Sequence, residues 1–125
     1  MIGPLIISKT EETPNVVLDA LNNKFLIAAT SWPEDATKFY LPVLNWVDSY
    51  FKSPNSETVF EFKMEYFNTA SAKQIAKLLS LLQRHSENNK VTIRWFYDKD
   101  DMDMSNAGNR YAKLLKMSFE IIENN

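Results

Sequence analysis

The sequence contains no cysteine, only two glycines and a single histidine. Without cysteine the chain forms no internal disulfide and no thiolate metal site, as is common for proteins of a reducing compartment. Gly3 and Gly108 are too few and too far apart for a phosphate-binding P-loop or a dinucleotide-binding fingerprint. The lone His85 excludes a metal site built on paired histidines. We therefore expect no cofactor, no metal and no catalytic residue.

The sequence also lacks an excess of one charge and any long apolar run. Fourteen Lys and Arg nearly balance sixteen Asp and Glu, for a net charge of −2. Nucleic-acid-binding domains usually carry a basic patch, so we expect no nucleic-acid partner. The apolar residues 1–7 lack a basic n-region and end before Lys9, which does not fit a signal peptide. No run approaches the roughly 20 apolar residues of a membrane helix, and we expect a cytoplasmic protein without membrane contact.

The remaining composition is that of a globular protein. Hydrophobic residues make up 45% and charged residues 24% of the 125 residues, which is near the commonest domain size. We therefore expect one domain over residues 1–125. The predicted elements are strands at Val16–Leu18, Phe25–Ala29, Val59–Tyr66, Val91–Tyr97 and Phe119–Ile122, with helices at about 36–50, 70–86 and 103–115.

The order of these elements predicts an α/β fold. Strands that alternate with helices imply crossovers and parallel pairing. The run Val59–Tyr66 alternates: Phe60, Phe62, Met64 and Tyr66 should face inward, and Glu61, Lys63 and Glu65 outward. A strand with one polar face favours two layers. We predict a mixed sheet of four or five strands, with about three helices mostly on one face.

Two local signals concern the first helix. Ser31-Trp32-Pro33-Glu34 has the pattern of a capping box, with Pro33 at a position where a missing N–H is tolerated. Pro42 then interrupts the helical pattern. A proline cannot donate to the carbonyl four residues earlier, so we expect a kink or two short helices.

The clearest candidate site is Thr69. It follows a predicted strand and stands at the start of the best helix, where backbone N–H groups have no helical partner. A phosphate on Thr69 would be stabilised by those donors. On pattern alone an ordinary helix N-cap is the simpler interpretation of Thr69.

Two other features favour structural interpretations. Asp98, Asp100, Asp101 and Asp103 form the densest carboxylate cluster, but their spacing does not match a calcium-binding EF-hand loop. They fit better as acids at the start of the next helix, where they complement its dipole. His85 fits as an exposed residue near a helix end.

The residues around Thr69 also resemble a known family. The stretch Tyr66-Phe67-Asn68-Thr69-Ala70-Ser71-Ala72-Lys73, combined with Trp95-Phe96-Tyr97-Asp98 downstream, is similar to the SiaC family of regulatory phosphoproteins. The likeness is nearly end to end, and further matching stretches are Thr13-Pro14, 31–36, Leu44-Asn45-Trp46, 90–98 and Asp100-Asp101. Ala70 and Trp32 depart from the Ser and Tyr that are usual in the family.

The resemblance implies a fold like that of the STAS anti-sigma-factor antagonists and a place in a partner-switching circuit. A serine/threonine kinase with a histidine-kinase-like ATPase domain would phosphorylate Thr69, and a PP2C-type phosphatase would remove the phosphate. The unphosphorylated protein would bind an effector, in the characterised case a diguanylate cyclase that controls cyclic di-GMP and biofilm formation. The residues that partners would contact are Tyr66, Phe67, Asn68, Ser71 and Lys73.

Two alternatives to this non-catalytic switch remain open. A STAS-like antagonist would bind an anti-sigma factor and control transcription. A small enzyme would use the cluster from Asp98 to Asp103 with a metal ion. A metal titration followed by thermal melting addresses the second alternative, because a metal that binds the native state raises its stability.

Overall fold

The structure, a computed structural model that describes residues 2–125, is a mixed six-stranded sheet with three helices. The strands lie in the sheet in chain order; the first two pairings are antiparallel and the last three are parallel. In chain order the elements are β1 (Leu5–Ile7), β2 (Asn15–Asp19), β3 (Lys24–Ser31), α1 (Ala36–Tyr50), β4 (Thr58–Phe67), α2 (Thr69–Ser86), β5 (Val91–Tyr97), α3 (Met102–Leu114) and β6 (Ser118–Glu123).

The predicted α/β class is confirmed, but the predicted strand count was too low. The missed strand is β1, which pairs with β2 through Leu5 and Leu18, Ile6 and Val17, and Ile7 and Val16. A three-residue strand is too short to show alternation in the sequence. None of the helices in residues 2–125 has the length and apolar character needed to cross a membrane.

All three helices lie on one face of the sheet, as the two-layer prediction required. Strands β3 to β6 are parallel and lie side by side in chain order, so each crossover moves the same way across the sheet. Right-handed crossovers that all move the same way place their helices on the same face. The aromatic contacts agree with this placement. Phe25 of β3 contacts Trp46 of α1 at a ring-centroid distance of 6.1 Å. Trp95 of β5 contacts Tyr111 of α3 at 5.4 Å.

Strand β4 shows the predicted alternation over most of its length. Phe60, Phe62 and Met64 are buried under the helices. On the opposite face Lys63 and Glu65 are exposed and Glu61 is half-buried. This face of the sheet is therefore open to solvent at β4, as predicted.

A β-bulge ends that alternation near the end of β4. Ala29 pairs with Met64 but Thr30 pairs with Tyr66, so β4 carries one extra residue, and Ala29 has φ of 77°. A bulge re-aims the side chains that follow it. Tyr66 is 53% exposed, while the Phe67 ring meets Trp95 edge-on at 6.1 Å. The predicted inward orientation of Tyr66 was wrong for this reason.

Helix α1 begins later than predicted. Its N-cap is Asp35, whose Oδ1 accepts the Lys38 N–H at 3.0 Å. The predicted capping box was wrong, because Ser31 still belongs to β3. The helix continues through Pro42 to Tyr50, which contradicts two short helices. Pro42 and Lys38 are both exposed, so water can bond to the carbonyl that lacks its helical donor.

Three buried hydroxyl groups join β3, α1 and α2. The Ser31 Oγ lies 2.6 Å from the Tyr40 Oη and 2.8 Å from the Ser71 Oγ. All three side chains are fully buried. Burial raises the pKa of Tyr40 to about 12, although its hydrogen bonds with Ser31 and Ser71 act in the opposite direction. A buried hydroxyl without a partner costs about 1–3 kcal/mol, so these contacts fix how the three elements meet.

Gly108 sets the distance between α3 and the sheet. The indole N–H of the buried Trp95 donates to the Met104 carbonyl at 3.0 Å. A Cβ atom at Gly108 would lie 2.4 Å from Trp95 Cδ1, which is too close for any side chain. The glycine is therefore required for this close approach of α3 to Trp95.

The raised pKa of Tyr40 predicts a loss of stability at alkaline pH. In the unfolded chain the phenol ionises near its ordinary pKa of 10.0, and in the folded protein near 12. Its stabilising contribution is fully present below the unfolded pKa and is lost as the pH rises through the folded pKa. The loss is about 3 kcal/mol, because each of the two pKa units corresponds to about 1.4 kcal/mol. Urea unfolding should show that wild type loses free energy of unfolding relative to Tyr40→Phe as the pH rises from about 10 to about 12. A difference that does not vary with pH would contradict the assignment.

Candidate phosphorylation and partner-binding site

The candidate site lies at the carboxyl edge of the parallel strands. Strands β3, β4 and β5 end at this edge, and α1, α2 and α3 begin just beyond it. The carboxyl edge is the common ligand-binding edge of α/β sheets, and helix N-termini favour negative charge. Each of these N-termini is capped by a side chain: Asp35, Asn68 and Asp101.

Thr69 is the first residue of α2 and is exposed. The N-cap is the preceding Asn68, whose Oδ1 accepts the Ser71 N–H at 2.9 Å. The interpretation of Thr69 as the N-cap was therefore wrong. Since Asn68 makes the capping contact, the Thr69 hydroxyl is not needed to begin the helix.

The turn that carries Thr69 is anchored on both sides by Ser31. The Asn68 N–H donates to the Ser31 carbonyl at 3.1 Å. Two residues after Thr69, the Ser71 hydroxyl bonds to the Ser31 hydroxyl. Thr69 thus lies exposed between two anchored neighbours.

The five predicted partner-contacting residues differ in accessibility. Tyr66 and Lys73 are exposed, and Phe67 and Asn68 are half-buried. Ser71 is fully buried. Its predicted contact with partners was wrong, because the helix turns it toward Ser31 beneath the surface.

Sequence reasoning missed two exposed apolar side chains at the same edge. Trp32 follows the end of β3 and is 41% exposed, and Met102 begins α3 and is 64% exposed. Tyr66, near the end of β4, is a third exposed apolar side chain at this edge. The available signal was their position between a predicted strand and the predicted helix that follows it.

A cavity of about 260 Å³ opens beside Tyr66. Its apolar wall comes from β4 and α3. Four of the side chains that line it are charged. The lining residues are Glu65, Tyr66, Phe67, Asp101, Asp103, Met104, Ala107 and Arg110.

The acidic cluster has structural roles. Asp101 caps α3 by accepting the Met104 N–H at 3.0 Å, and the Asp98 Oδ1 accepts from the Asn124 Nδ2 at 2.9 Å. Residues 2–125 contain no group of three acidic or histidine side chains placed to hold a metal ion. The metal-enzyme alternative therefore gains no support.

His85 is less exposed than predicted. Its ring stacks on Phe51 at a centroid distance of 4.4 Å. Its Nε2 lies 3.2 Å from the Asp48 Oδ1. These contacts connect the end of α2 to the end of α1.

Three solved structures superpose on this chain over nearly its whole length. SiaC of Pseudomonas aeruginosa superposes with a TM-score of 0.89 at 22% identity, over 98% of this chain and 100% of that chain. Apo-SiaC from the same organism gives 0.88 at 22% identity, over 97% and 99%. The structure of the diguanylate cyclase SiaD in complex with its activator SiaC, from P. aeruginosa, contains a chain that gives 0.90 at 22% identity, over 96% and 99%. At this identity the likeness shows the fold.

No curated protein sequence matches the chain significantly. A family model, described as SiaC family regulatory phosphoprotein, matches residues 7–124. The chain therefore belongs to the SiaC family of regulatory phosphoproteins.

Proposed function

We propose that this protein is a non-catalytic switch, phosphorylated reversibly on Thr69, whose unphosphorylated form binds and regulates a diguanylate cyclase. The observation that carries the proposal is Thr69 itself, exposed at the first position of α2 while Asn68 caps the helix. A regulatory phosphoprotein needs an acceptor that a kinase can reach without unfolding the domain. Thr69 meets that requirement.

The position of Thr69 also suits the phosphorylated state. The first N–H groups of a helix have no helical partner, and the helix dipole favours negative charge there. A phosphate on Thr69 leaves the Asn68 cap and the buried Ser71 contact in place. The fold should therefore persist after phosphorylation.

The same position explains release of an effector. The exposed apolar side chains of Trp32, Tyr66 and Met102 all lie at the carboxyl edge where α2 begins, and apolar side chains exposed at one place commonly mark partner-binding sites. Phosphorylation adds about −1.5 to −2 charges. Removing such a group from water on docking is costly unless a cation of the partner faces it.

The enzymes of the proposed circuit follow from the family resemblance. A cytoplasmic serine/threonine kinase with a histidine-kinase-like ATPase domain adds the phosphate, and a PP2C-type phosphatase removes it. A cyclase effector is favoured over an anti-sigma factor because a protein of the same fold, SiaC, is the activator in a complex with the cyclase SiaD.

The acceptor can be identified by mass spectrometry after incubation with the cognate kinase and ATP. We expect one phosphate, on Thr69, because its side chain is exposed at the helix start. Thr69→Val should take up none. A phosphate found on Ser71 or Thr30 would refute the assignment, and for Ser71 it would require opening of the buried hydroxyl contacts.

Helix capping and phosphorylation should depend on two different neighbouring residues, Asn68 and Thr69. Asn68→Ala removes the capping oxygen and should lower the free energy of unfolding by about 1 kcal/mol, yet leave a phosphoacceptor. Thr69→Ala should change stability by less than about 0.5 kcal/mol and abolish phosphorylation. Urea unfolding and kinase assays on both variants test this pair. A larger loss of stability in Thr69→Ala than in Asn68→Ala would contradict the division.

A further inference from the structure

A second surface of the protein is a groove between α1 and α2, on the side of the helices that faces away from the sheet. Its volume is about 520 Å³. The half-buried Leu44 and Leu81 form its apolar floor, and the other side chains that line it are exposed and, apart from Ala76, polar. The lining residues are Leu44, Asn45, Asp48, Ala76, Lys77, Ser80, Leu81 and Arg84, none of which belongs to the site described above.

The groove is continuous with Thr69 along α2. Thr69, Lys73, Lys77, Ser80 and Arg84 follow one another at spacings of three or four, which places them on one face of the helix. At a rise of about 1.5 Å per residue, Lys73 lies roughly 6 Å and Lys77 roughly 12 Å along the axis from Thr69. The candidate phosphoacceptor therefore stands at the head of this stripe.

The stripe is positively charged. Neither Lys73 nor Lys77 takes part in an ion pair within residues 2–125. The one carboxylate in the groove, Asp48, lies 3.5 Å from the Arg84 Nη2 and 3.2 Å from the His85 Nε2. Asp48 and Arg84 therefore pair with each other at the surface, and Lys77 is left without an acidic partner among the residues that line the groove. The groove presents uncompensated positive charge although the whole chain has a net charge of −2.

We propose that this groove binds an acidic amphipathic helix of the effector. A groove between two neighbouring helices with an apolar floor suits a third helix that lies along it. Apolar side chains of that helix would contact Leu44 and Leu81, and its carboxylates would face Lys73 and Lys77. The stripe from Thr69 to Arg84 is about 22 Å long, which matches about 15 residues of helix. This inference rests on the function proposed above and names a further surface that the effector contacts, in addition to the edge that carries Trp32, Tyr66 and Met102.

The proposed binding mode gives the switch its direction. A phosphate on Thr69 adds negative charge one helical turn from Lys73, the spacing at which opposite charges pair on a helix. The phosphate therefore competes for the lysine that the acidic helix needs. It also repels the carboxylates at that end of the bound helix.

The first test compares affinities of the full-length diguanylate cyclase from the same organism for groove and control variants. Lys77→Glu should raise the dissociation constant roughly tenfold or more, because it places like charges opposite each other. Ala76→Gln, an uncharged obstruction at an exposed groove position, should also weaken binding. The matched control is Lys113→Glu, with the same charge change at an exposed position of α3, and it should bind like wild type. Thermal melting of each variant checks the fold.

The second test locates the contact directly. Because the chain has no cysteine, Ser80→Cys provides a unique thiol for a fluorescent label in the groove, and Asn109→Cys provides a control label on α3. Cyclase should change the fluorescence at position 80 and leave that at position 109 unchanged.

The outcomes of the two tests distinguish failure of the groove inference from failure of the proposed phospho-switch. If cyclase binds but both labels and all groove variants behave as the controls do, the groove inference is wrong and the proposed function stands. A fluorescence change at position 80 when the protein is concentrated alone would identify a second copy of this chain as the occupant, and would also overturn the inference. Failure of the unphosphorylated wild type to bind cyclase would contradict both proposals.

Discussion

The buried hydroxyl of Ser31 is the contact on which the geometry of the site depends. It bonds to Tyr40 of α1 and to Ser71 of α2, while the Ser31 carbonyl accepts the Asn68 N–H. One residue at the end of β3 thereby fixes the start of α2 relative to the sheet and to α1. Thr69 lies between the two anchored residues, Asn68 and Ser71. The position of its hydroxyl is therefore set by contacts that lie beneath the surface and that phosphorylation need not disturb.

This arrangement separates the residues that stabilise the start of α2 from the proposed phosphoacceptor. Asn68 supplies the capping oxygen, and Ser71 supplies the buried contact to Ser31. Thr69 does neither, so its chemical state can change without loss of a helix cap or a core contact. The basic stripe begins beside Thr69 and continues along α2 into the α1–α2 groove. A negative charge added at Thr69 would therefore interact with the lysines of this stripe.

The sequence predicts the local parts of this structure well, because their signals are local. The alternation of Phe60, Phe62 and Met64 and the start of α2 near Thr69 are both visible in the sequence. The orientation of Tyr66, the burial of Ser71 and the role of Ser31 are not. Each of these depends on residues distant in sequence, through the bulge between β3 and β4 or through the hydroxyl contacts across 40 residues of chain. The predicted capping box at Ser31 was wrong for the same reason. Its four-residue pattern is local, whereas the place of Ser31 in β3 depends on pairing with the distant strand β4.

The most direct test of the phospho-switch is calorimetric titration of the diguanylate cyclase with the unphosphorylated and the Thr69-phosphorylated protein, together with a thermal melt of each form. The switch predicts that phosphorylation weakens binding roughly tenfold or more, from charge repulsion at a desolvated surface, while the cooperative melt is retained. Equal affinity of the two forms would contradict the switch. Loss of the cooperative melt on phosphorylation would show instead that the phosphate acts by unfolding the domain.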